Sequence, residues 1–262
     1  MNVDALLGWY ARVRRPLPWR ATRDPYALLV SEVMLQQTQA ARVVPYYEAF
    51  LDRFPDAHAL ARASTGDVLA AWSGLGYNRR ALALQRAARQ VADHGWPEDL
   101  SELPGVGAYT AAAVSSFAWD AHLPAVDTNV RRVIERHDGT RRGPRELARR
   151  AHALLPEGRA ADFNQALMEL GATVCRPRRP DCGACPVQAG CASRGREHPA
   201  PPRRSAPRFE DTDRWARGRI LAAHVGGSSP PDLDPERRER AEAGLLRDGL
   251  LVRDSGGALR LP

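Results

Sequence analysis

The sequence predicts an all-α protein that ends in a small module of mixed α and β structure. Apolar residues recur at helical spacing through most of the first 195 residues, and no alternating strand pattern persists before residue 200. Clusters of proline and glycine divide the helical stretches from one another. With 262 residues, of which 44% are hydrophobic, the chain is long enough for one large domain, or for two smaller domains with an appendage.

The first helix is predicted over residues 3–15, and the segment RPLPWR at 15–20 follows it. Because each proline restricts itself and the residue before it, this segment should be rigid and extended. It contains Trp19, and a lone tryptophan usually packs into a core. A wall position in a pocket for a flat base is the alternative.

A second helix is predicted over residues 26–39 and is apolar almost all round, which is typical of a buried helix. Glu32 lies in its middle, and three of its four neighbours at helical spacing are leucines. Burial there should raise the pKa of the carboxyl group. A buried carboxyl is a candidate functional group, and a structural salt bridge to an arginine is the alternative.

Further helices are predicted over residues 43–54, 57–63, 65–72 and 79–92. The turn before the last of these contains two glycines and then Tyr77. An aromatic side chain on such a loop is suited to separating stacked bases, although many tyrosines at this position only close a turn against the core.

The stretch LPGVG at 103–107 predicts a tight hairpin, since Gly105 and Gly107 allow positive φ and leave backbone N–H groups accessible. A helix over 109–117 follows, and its N-terminal amides suit an anion such as a DNA phosphate. Asp127 begins the next helix, where it fits both an N-cap and a fixed carboxylate. Helices at 144–155 and 162–174 complete this region.

All four cysteines, Cys175, Cys182, Cys185 and Cys191, lie within one short segment. About 170 residues precede them, which favours metal binding in a reducing compartment over a disulfide framework. Zinc sites usually separate two close pairs by a longer loop, whereas intervals of six, two and five residues surround one compact ligand set. The spacing therefore favours a [4Fe-4S] cluster over zinc.

The chain is basic, with a formal charge of +7 and a pI near 9.8, which indicates a polyanionic partner with nucleic acid as the first candidate; a solvated basic surface is the alternative. Arg176 and Arg178 lie in the first interval between cysteines, where a basic loop would meet phosphates. All 38 basic residues are arginine, so no side-chain amine exists to form a Schiff base. The sequence predicts neither a membrane span nor a signal peptide, and we expect a cytoplasmic protein.

The C-terminal region begins with a linker rich in proline and arginine, at residues 196–208. Helices are predicted over 211–225 and 235–248, followed by a hairpin that turns at 255–257. Residues 209–262 thus resemble a small winged-helix module, which fits either an additional DNA contact or a cap on the core.

Several motifs together make the chain resemble the helix-hairpin-helix DNA glycosylases that carry an iron-sulfur cluster, and within them the adenine-specific MutY-like family. The resemblance covers roughly residues 5–195. It rests on the following motifs, in this order: LPWR at 17–20, SEVMLQQTQ at 31–39, GLGY at 74–77, LPGVG at 103–107, VDTNV at 126–130, FNQALMELGATVC at 163–175 and the cysteine array.

The resemblance implies a fold of two helical lobes. Residues 1–25 and 127–195 would form the lobe with the [4Fe-4S] loop, and residues 26–126 a helical barrel with the hairpin. Double-stranded DNA would bind over the cleft, with the target base flipped out of the helix. The protein would act as a monomer associated with the nucleoid.

The resemblance also assigns roles to residues. The catalytic set would be Glu32 as the acid, Asp127 as the catalytic aspartate, and Tyr109 and Asn129. The base pocket would be formed by Arg15, Leu17, Trp19, Arg20, Gln165 and Met168. Contacts to DNA would come from Gln37, Thr38, Tyr77, Gly105, Gly107, Arg176 and Arg178. The four cysteines would hold the cluster.

The implied activity is excision of adenine mispaired with 8-oxoguanine or guanine. Relatives that also cut the strand have a lysine just after the hairpin, where this chain has Tyr109, so a monofunctional glycosylase is expected. Two alternatives remain: a glycosylase of the same fold for mismatched thymine or uracil or a damaged purine, and a non-catalytic iron-sulfur protein that binds DNA.

Typical members of the family continue into a larger C-terminal domain similar to the MutT hydrolases, which inspects 8-oxoguanine. This chain has only about 55 residues after the linker. Thr128 and Asn78 replace a glycine and a tyrosine that are common in the family. The domain that inspects 8-oxoguanine in typical members is therefore expected to be missing from this chain.

Overall fold

The computed structural model describes residues 1–196, 207–226 and 231–262. It confirms the predicted all-α fold with a small strand pair at the C-terminal end. The predicted linker lies almost entirely in residues 197–206, outside the described residues. No helix in the described ranges has both the length and the apolar character needed to cross a membrane.

The helices of the described residues are α1 (Val3–Val13), α2 (Pro25–Leu35), α3 (Ala40–Arg53), α4 (Ala57–Arg62), α5 (Thr65–Trp72), α6 (Arg79–His94), α7 (Ala108–Trp119), α8 (Thr128–Asp138), α9 (Pro144–His152), α10 (Ala160–Thr173), α11 (Asp213–Gly226) and α12 (Pro235–Arg247). Short 3-10 helices lie at Pro18–Arg20, Leu100–Glu102 and Phe209–Asp211. Strands β1 (Val252–Arg253) and β2 (Leu259–Arg260) pair antiparallel, with Val252 opposite Arg260.

The chain divides into two compact units. Of the described residues, the first unit contains Met1–Glu32, Glu98–Glu102 and 106–196. The second contains Val33–Pro97, Leu103–Gly105, 207–226 and 231–262. The first unit includes residues 106–126, which the sequence assigned to the barrel lobe, and the lobe boundaries stay a prediction.

The core of the first unit is built by α1, α8, α9 and α10. Helix α10 is central, because it packs against α1, α7 and α8. Its buried face includes Phe163, Leu167 and Leu170. Burying apolar side chains of this size stabilises by roughly 1.5–3 kcal/mol each. This core gives the neighbouring polar residues of α8 and α10 fixed positions.

In the second unit, α6 packs against α4 and α5, and α11 packs against α12 and α5. Phe50, Trp72 and Leu60 are fully buried there. The C-terminal module contributes its own apolar residues, including Ile220 and Leu245, to this unit. Within the second unit, the module is therefore packed against the helical part.

Candidate active site

Glu32 lies on α2 and is buried, with 5% of its surface exposed. Burial is the main cause that raises the pKa of this carboxyl group from 4.5 to about 7. The negative charge of Asp127 raises the pKa further, whereas a hydrogen bond with Tyr109 lowers it. The predicted apolar surroundings of Glu32 are therefore present, and no salt bridge is needed to explain the residue. At neutral pH a large share of Glu32 carries a proton.

Tyr109 lies in the first turn of α7, directly after the hairpin, and its phenol hydroxyl donates a hydrogen bond to the Glu32 carboxylate. Burial, followed by the negative charges of Glu32 and Asp127, raises the pKa of Tyr109 well above 10. The phenol consequently stays protonated and remains a donor toward Glu32. The structure thus brings Glu32, Tyr109 and Asp127 together, and the fourth predicted catalytic residue, Asn129, is bonded to Asp127.

Asp127 is the N-cap of α8 and is half-buried. Its Oδ1 accepts a hydrogen bond from the Val130 backbone N–H at 2.7 Å, and its Oδ2 accepts one from Asn129 Nδ2 at 2.8 Å. Asp127 is therefore both an N-cap and a carboxylate in a fixed position, because the capping hydrogen bond holds its side chain. Two N–H donors on the two oxygens also complement a negative charge.

Arg132 binds the Asn129 side chain at the oxygen, opposite the nitrogen that binds Asp127. The sequence did not point to Arg132. Its Nη2 donates to Asn129 Oδ1 at 2.8 Å and to the Gly171 carbonyl oxygen at 2.7 Å, while its Nε donates to the Cys175 carbonyl oxygen at 2.8 Å. A hydrogen-bonded path therefore runs from the carboxylate of Asp127 to the first cysteine. The spacing of Asn129 and Arg132 on one helix was the only signal in the sequence.

Asn164 on α10 holds the segment that leads into Asp127. Its Nδ2 donates to Ser116 Oγ and to the Leu123 carbonyl oxygen, both at 2.9 Å, and its Oδ1 accepts from the Ala125 backbone N–H at 3.1 Å. The residue is buried, with 2% exposed. Leaving such groups unpaired would cost roughly 1–3 kcal/mol each, so Asn164 constrains this loop strongly. Its role was not visible in the sequence.

Two of the predicted base-pocket residues, Arg15 and Arg20, bind Glu169, which the sequence did not single out. Glu169 is fully buried, and both its oxygens accept hydrogen bonds from arginines. Arg15 Nε lies 2.7 Å from Oε1, and Arg20 Nη2 lies 2.6 Å from Oε2. Although burial acts to raise the pKa of Glu169, these two guanidinium groups hold it below its usual value. The carboxylate keeps the segment 15–20 on α10.

The remaining candidates for the base pocket differ in their burial and in their contacts. Gln165 Oε1 accepts a hydrogen bond from the Tyr10 hydroxyl at 2.7 Å. Leu17 is half-buried, and Met168 packs against the core of the first unit. Trp19 is buried, with 6% exposed, which agrees with its interpretation as a packed residue. Their contact with a base stays a prediction.

The two hairpin glycines differ from each other. Gly105 has φ of +77°, and a Cβ there would lie 2.6 Å from the Ala83 Cβ, so only glycine fits. Gly107 has φ of −89° and is the N-cap of α7, so it does not use the positive φ that a glycine allows. Its extended backbone exposes the N–H groups of the first turn of α7 instead.

Arg80 organises the predicted DNA-contacting loops of the second unit. Its Nη1 donates to the carbonyl oxygens of Val33, Met34 and Gln36, at 2.7, 3.1 and 2.6 Å. Its Nη2 donates to the Gly76 carbonyl oxygen at 3.0 Å. One guanidinium thus connects the end of α2 with the loop before Tyr77, and sequence reasoning missed this contact.

Gln37 and Tyr77, two of the predicted DNA contacts, have left-handed backbones with φ of +58° and +50°. Such conformations are uncommon for residues other than glycine, and they often occur at functional positions. Thr38 follows Gln37 in the same turn. Arg176 and Arg178 are exposed, as a phosphate contact requires.

The four cysteines are all free and half-buried. Burial raises the pKa of the Cys185 thiol, and Cys175, Cys191 and Cys182 are close enough to raise it further. Arg136 Nη1 donates to Cys175 Sγ at 3.5 Å. In the described part of the chain, no three or more Cys, His, Asp or Glu side chains are arranged as a metal site. The thiols nevertheless share one loop with a cation beside it, which suits an anionic cluster.

A basic cavity of about 400 Å³ lies in the first unit next to these arginines. It is lined by Arg131, Arg132, Glu135, Arg136, Gly139, Thr140, Arg141 and Ser193. Four guanidinium groups against one carboxylate leave the lining positive, which suits a phosphate.

Comparison with known proteins places this site in a family. The model of the HhH-GPD superfamily of base excision DNA repair proteins matches residues 30–157, a range that includes Glu32, Tyr109 and Asp127. A thermostable thymine-DNA glycosylase has a similar structure, with a TM-score of 0.68, 32% identity, and coverage of 73% of this chain and 94% of that one. A trapped endonuclease III–DNA covalent intermediate, at 23% identity and a TM-score of 0.63, shares the fold.

The adenine DNA glycosylase of Mycobacterium tuberculosis strain ATCC 25618 / H37Rv is 44% identical, and the match covers 98% of this chain and 92% of the relative. That of Mycolicibacterium smegmatis is 43% identical, over 98% of this chain and 94% of the relative. The human one is 43% identical over 73% of this chain and 39% of its own length. The chain belongs to the adenine DNA glycosylase family. Because these two matches cover 98% of this chain, they extend into residues 209–262.

Proposed function

We propose that this protein is a monofunctional glycosylase that hydrolyses the N-glycosidic bond of adenine mispaired with 8-oxoguanine or guanine in duplex DNA. One observation carries the proposal: a buried carboxyl group with a pKa of about 7, Glu32, lies beside a second carboxylate, Asp127. A pair of carboxyl groups with different surroundings is what cleavage of a glycosidic bond requires.

Glu32 supplies the proton. Adenine leaves poorly as an anion, so a proton must reach the base, at N7, while the C1′–N9 bond stretches. A carboxyl group that is partly protonated at neutral pH suits this step. Tyr109 holds the Glu32 side chain in place through its hydrogen bond.

Asp127 acts on the sugar. As the base departs, positive charge develops on the sugar ring, and a carboxylate fixed at the start of α8 stabilises that charge or forms a transient covalent bond before water adds. Asn129 holds one of its oxygens, and Arg132 holds Asn129. These two residues are therefore positioning residues for Asp127.

The reaction ends with an abasic site. Strand cleavage by a Schiff base needs a nucleophilic amine, and the chain has no lysine side chain to supply one. Tyr109 occupies the position just after the hairpin, and its phenol is engaged with Glu32.

The four cysteines, Cys175, Cys182, Cys185 and Cys191, are proposed to hold a [4Fe-4S] cluster. Four thiols on one short loop and a guanidinium beside Cys175 Sγ support this assignment. A cluster held by these four thiolates would tie the cysteine loop to Cys175 at the end of α10. Arg132 and Arg136 donate to the backbone of this loop, which keeps Arg176 and Arg178 at the surface.

The partner is double-stranded DNA, in the cytoplasm and associated with the nucleoid. The charge of +7, the exposed arginines of the cysteine loop and the basic cavity support binding to phosphates. The base pocket is proposed to be formed by Arg15, Leu17, Trp19, Arg20, Gln165 and Met168.

The test is single-turnover release of free adenine from duplexes with adenine opposite 8-oxoguanine, guanine, cytosine or thymine, followed by chromatography. We expect release opposite 8-oxoguanine and guanine, no strand break without alkali, and a loss of at least a hundredfold in Glu32→Gln. The same variant should still bind the duplex.

Two outcomes would contradict the proposal. If the protein released thymine or uracil from a parallel mismatch panel and released no adenine, its substrate would be another base. Full turnover by Glu32→Gln would remove the acid role.

A further inference from the structure

The C-terminal module places an arginine on the tyrosine that is predicted to enter the DNA. Tyr77 lies in the loop between α5 and α6 and has 38% of its surface exposed. Arg214 on α11 donates a hydrogen bond from Nη1 to the Tyr77 hydroxyl oxygen at 2.5 Å. Its guanidinium also lies over the Tyr77 ring, 4.8 Å from the ring centroid. Arg214 of the module therefore contacts both the hydroxyl group and the ring of Tyr77.

The same guanidinium lies between two aromatic rings. Phe209, just before α11, has its ring centroid 4.9 Å from the Arg214 guanidinium and is 49% exposed. Phe209, Arg214 and Tyr77 thus form three adjoining flat groups, here called the aromatic–arginine surface. Aromatic faces and guanidinium planes are the groups on which nucleobases stack.

The module is fixed in this position by further contacts within the second unit. Asp248, which follows α12, pairs with Arg217 of α11 and lies 3.7 Å from Arg79 at the start of α6. Leu261 lies 3.2 Å from where a Cβ on Gly66 of α5 would be. Because α11 also packs on α5, Arg214 is held next to the loop of Tyr77 by the packing of the unit.

Stability alone does not account for the aromatic–arginine surface. Arg214 is exposed, and exposed polar contacts of this kind stabilise little. Two exposed aromatic rings on a strongly basic protein instead match the composition of a nucleic acid contact. A guanidinium has five N–H donors, and the bond to Tyr77 uses one of them.

We propose that the aromatic–arginine surface contacts the strand opposite the excised adenine, and that Arg214 determines specificity for the base across from it. This inference rests on the proposed function, because it concerns the partner base of that same reaction. 8-Oxoguanine has an oxygen at C8 where guanine has only hydrogen, and a guanidinium donor distinguishes an acceptor from a C–H group. Arg214 is also a positioning residue for Tyr77.

The test uses binding, so that it does not depend on catalysis. The full-length protein is titrated with duplexes that carry a tetrahydrofuran abasic analogue opposite either 8-oxoguanine or guanine. We expect tighter binding opposite 8-oxoguanine, and we expect Arg214→Gln to reduce this preference about tenfold. Phe209→Ala should reduce the affinity for both duplexes.

Arg219→Gln is the matched control, since Arg219 is an exposed arginine of the same helix that makes none of these contacts. Losing one positive charge should weaken binding of both duplexes equally and leave the preference unchanged. Thermal unfolding of all variants checks that they are folded. The specificity role would be overturned if Arg214→Gln and Arg219→Gln preferred 8-oxoguanine over guanine to the same degree. It would also be overturned if the unsubstituted protein showed no such preference.

A double-mutant cycle with Tyr77→Phe tests the positioning role. If Arg214 acts through the Tyr77 hydroxyl, Arg214→Gln should cost less in the Tyr77→Phe background than alone. Strictly additive effects would overturn this part. If the protein binds with the expected preference but releases no adenine, the proposed function fails while the assignment of Arg214 stands.

Discussion

Glu32 and Asp127 are carboxyl groups with different surroundings. Glu32 is buried among apolar residues, and its pKa is raised to about 7. Asp127 caps a helix and accepts two N–H bonds. This difference assigns the proton donor and the carboxylate of the proposed reaction without reference to a substrate.

Tyr109→Phe should move the pH dependence of the reaction in a specific direction. The hydrogen bond from Tyr109 lowers the pKa of Glu32, so its removal should raise that pKa. We expect the fall in the single-turnover rate at high pH to shift upward in pH. The pH profile of adenine release measures this.

Tyr46→Phe, which removes a hydroxyl from α3, is the control and should leave the profile unchanged. A profile of Tyr109→Phe that shifts to lower pH would contradict the donor role of Tyr109.

Helices α8 and α10 are so close at Gly171 that no side chain fits there. A Cβ on Gly171 would lie 2.6 Å from the Asn129 Cβ and 3.1 Å from its carbonyl oxygen. The close approach brings the Gly171 carbonyl oxygen to 2.7 Å from Arg132 Nη2, which also binds Asn129. The contacts that hold Asn129 beside Asp127 therefore include a glycine of another helix.

Gly171→Ala should force α8 away from α10. We expect a loss of roughly 1–3 kcal/mol in the free energy of unfolding and a larger fractional loss of turnover than of DNA binding, because Asn129 moves with Asp127. Denaturant unfolding and single-turnover assays measure both.

Gly218→Ala is the matched helical control, since a Cβ there meets nothing within 4 Å. Greater helix propensity should stabilise this variant by up to about 1 kcal/mol. If Gly171→Ala has full turnover, the spacing of α8 and α10 does not control the site.

The sequence predicts most helices because their signals are local, such as the Asp127 cap and the apolar face of α6. The prediction for α2 was too long: the helix ends at Leu35, and Gln37 is left-handed. The carbonyl groups at this end are bound by Arg80, more than 40 residues away in sequence. Such distant partners leave no periodic signal in the chain.

The candidate site, like the helices, was predictable where its signals are local in the sequence. The surroundings of Glu32 follow from its neighbours on one helix, so its raised pKa could be anticipated. Arg132, Asn164 and Glu169 were missed, because their partners come together only when α8 and α10 pack against distant segments. Arg214 was missed for the same reason.

At the scale of the whole molecule, the buried acid should reduce stability as pH rises. Below about pH 4.5, Glu32 is protonated in both the folded and the unfolded chain. Between about pH 4.5 and 7, only the folded chain keeps the proton, so the free energy of unfolding falls with rising pH, by roughly 3 kcal/mol in total. Above about pH 7 this loss is complete.

Glu32→Gln removes this titration. As the pH rises from 4.5 to 8, the free energy of unfolding of the variant should therefore increase by roughly 3 kcal/mol relative to that of the unsubstituted protein. Denaturant unfolding across this range measures the gain. Glu98→Gln, at an exposed position, should show no such gain, and an equal response of both variants would contradict the burial of an acid at Glu32.

The measurement that tests the central claim most directly is the pH dependence of single-turnover adenine release opposite 8-oxoguanine. With Glu32 as the proton donor, the rate constant should fall above about pH 7, about tenfold for each further pH unit, as the acid loses its proton. A rate constant that stays level to pH 9, or that rises with pH, would contradict the assignment of Glu32 as the acid.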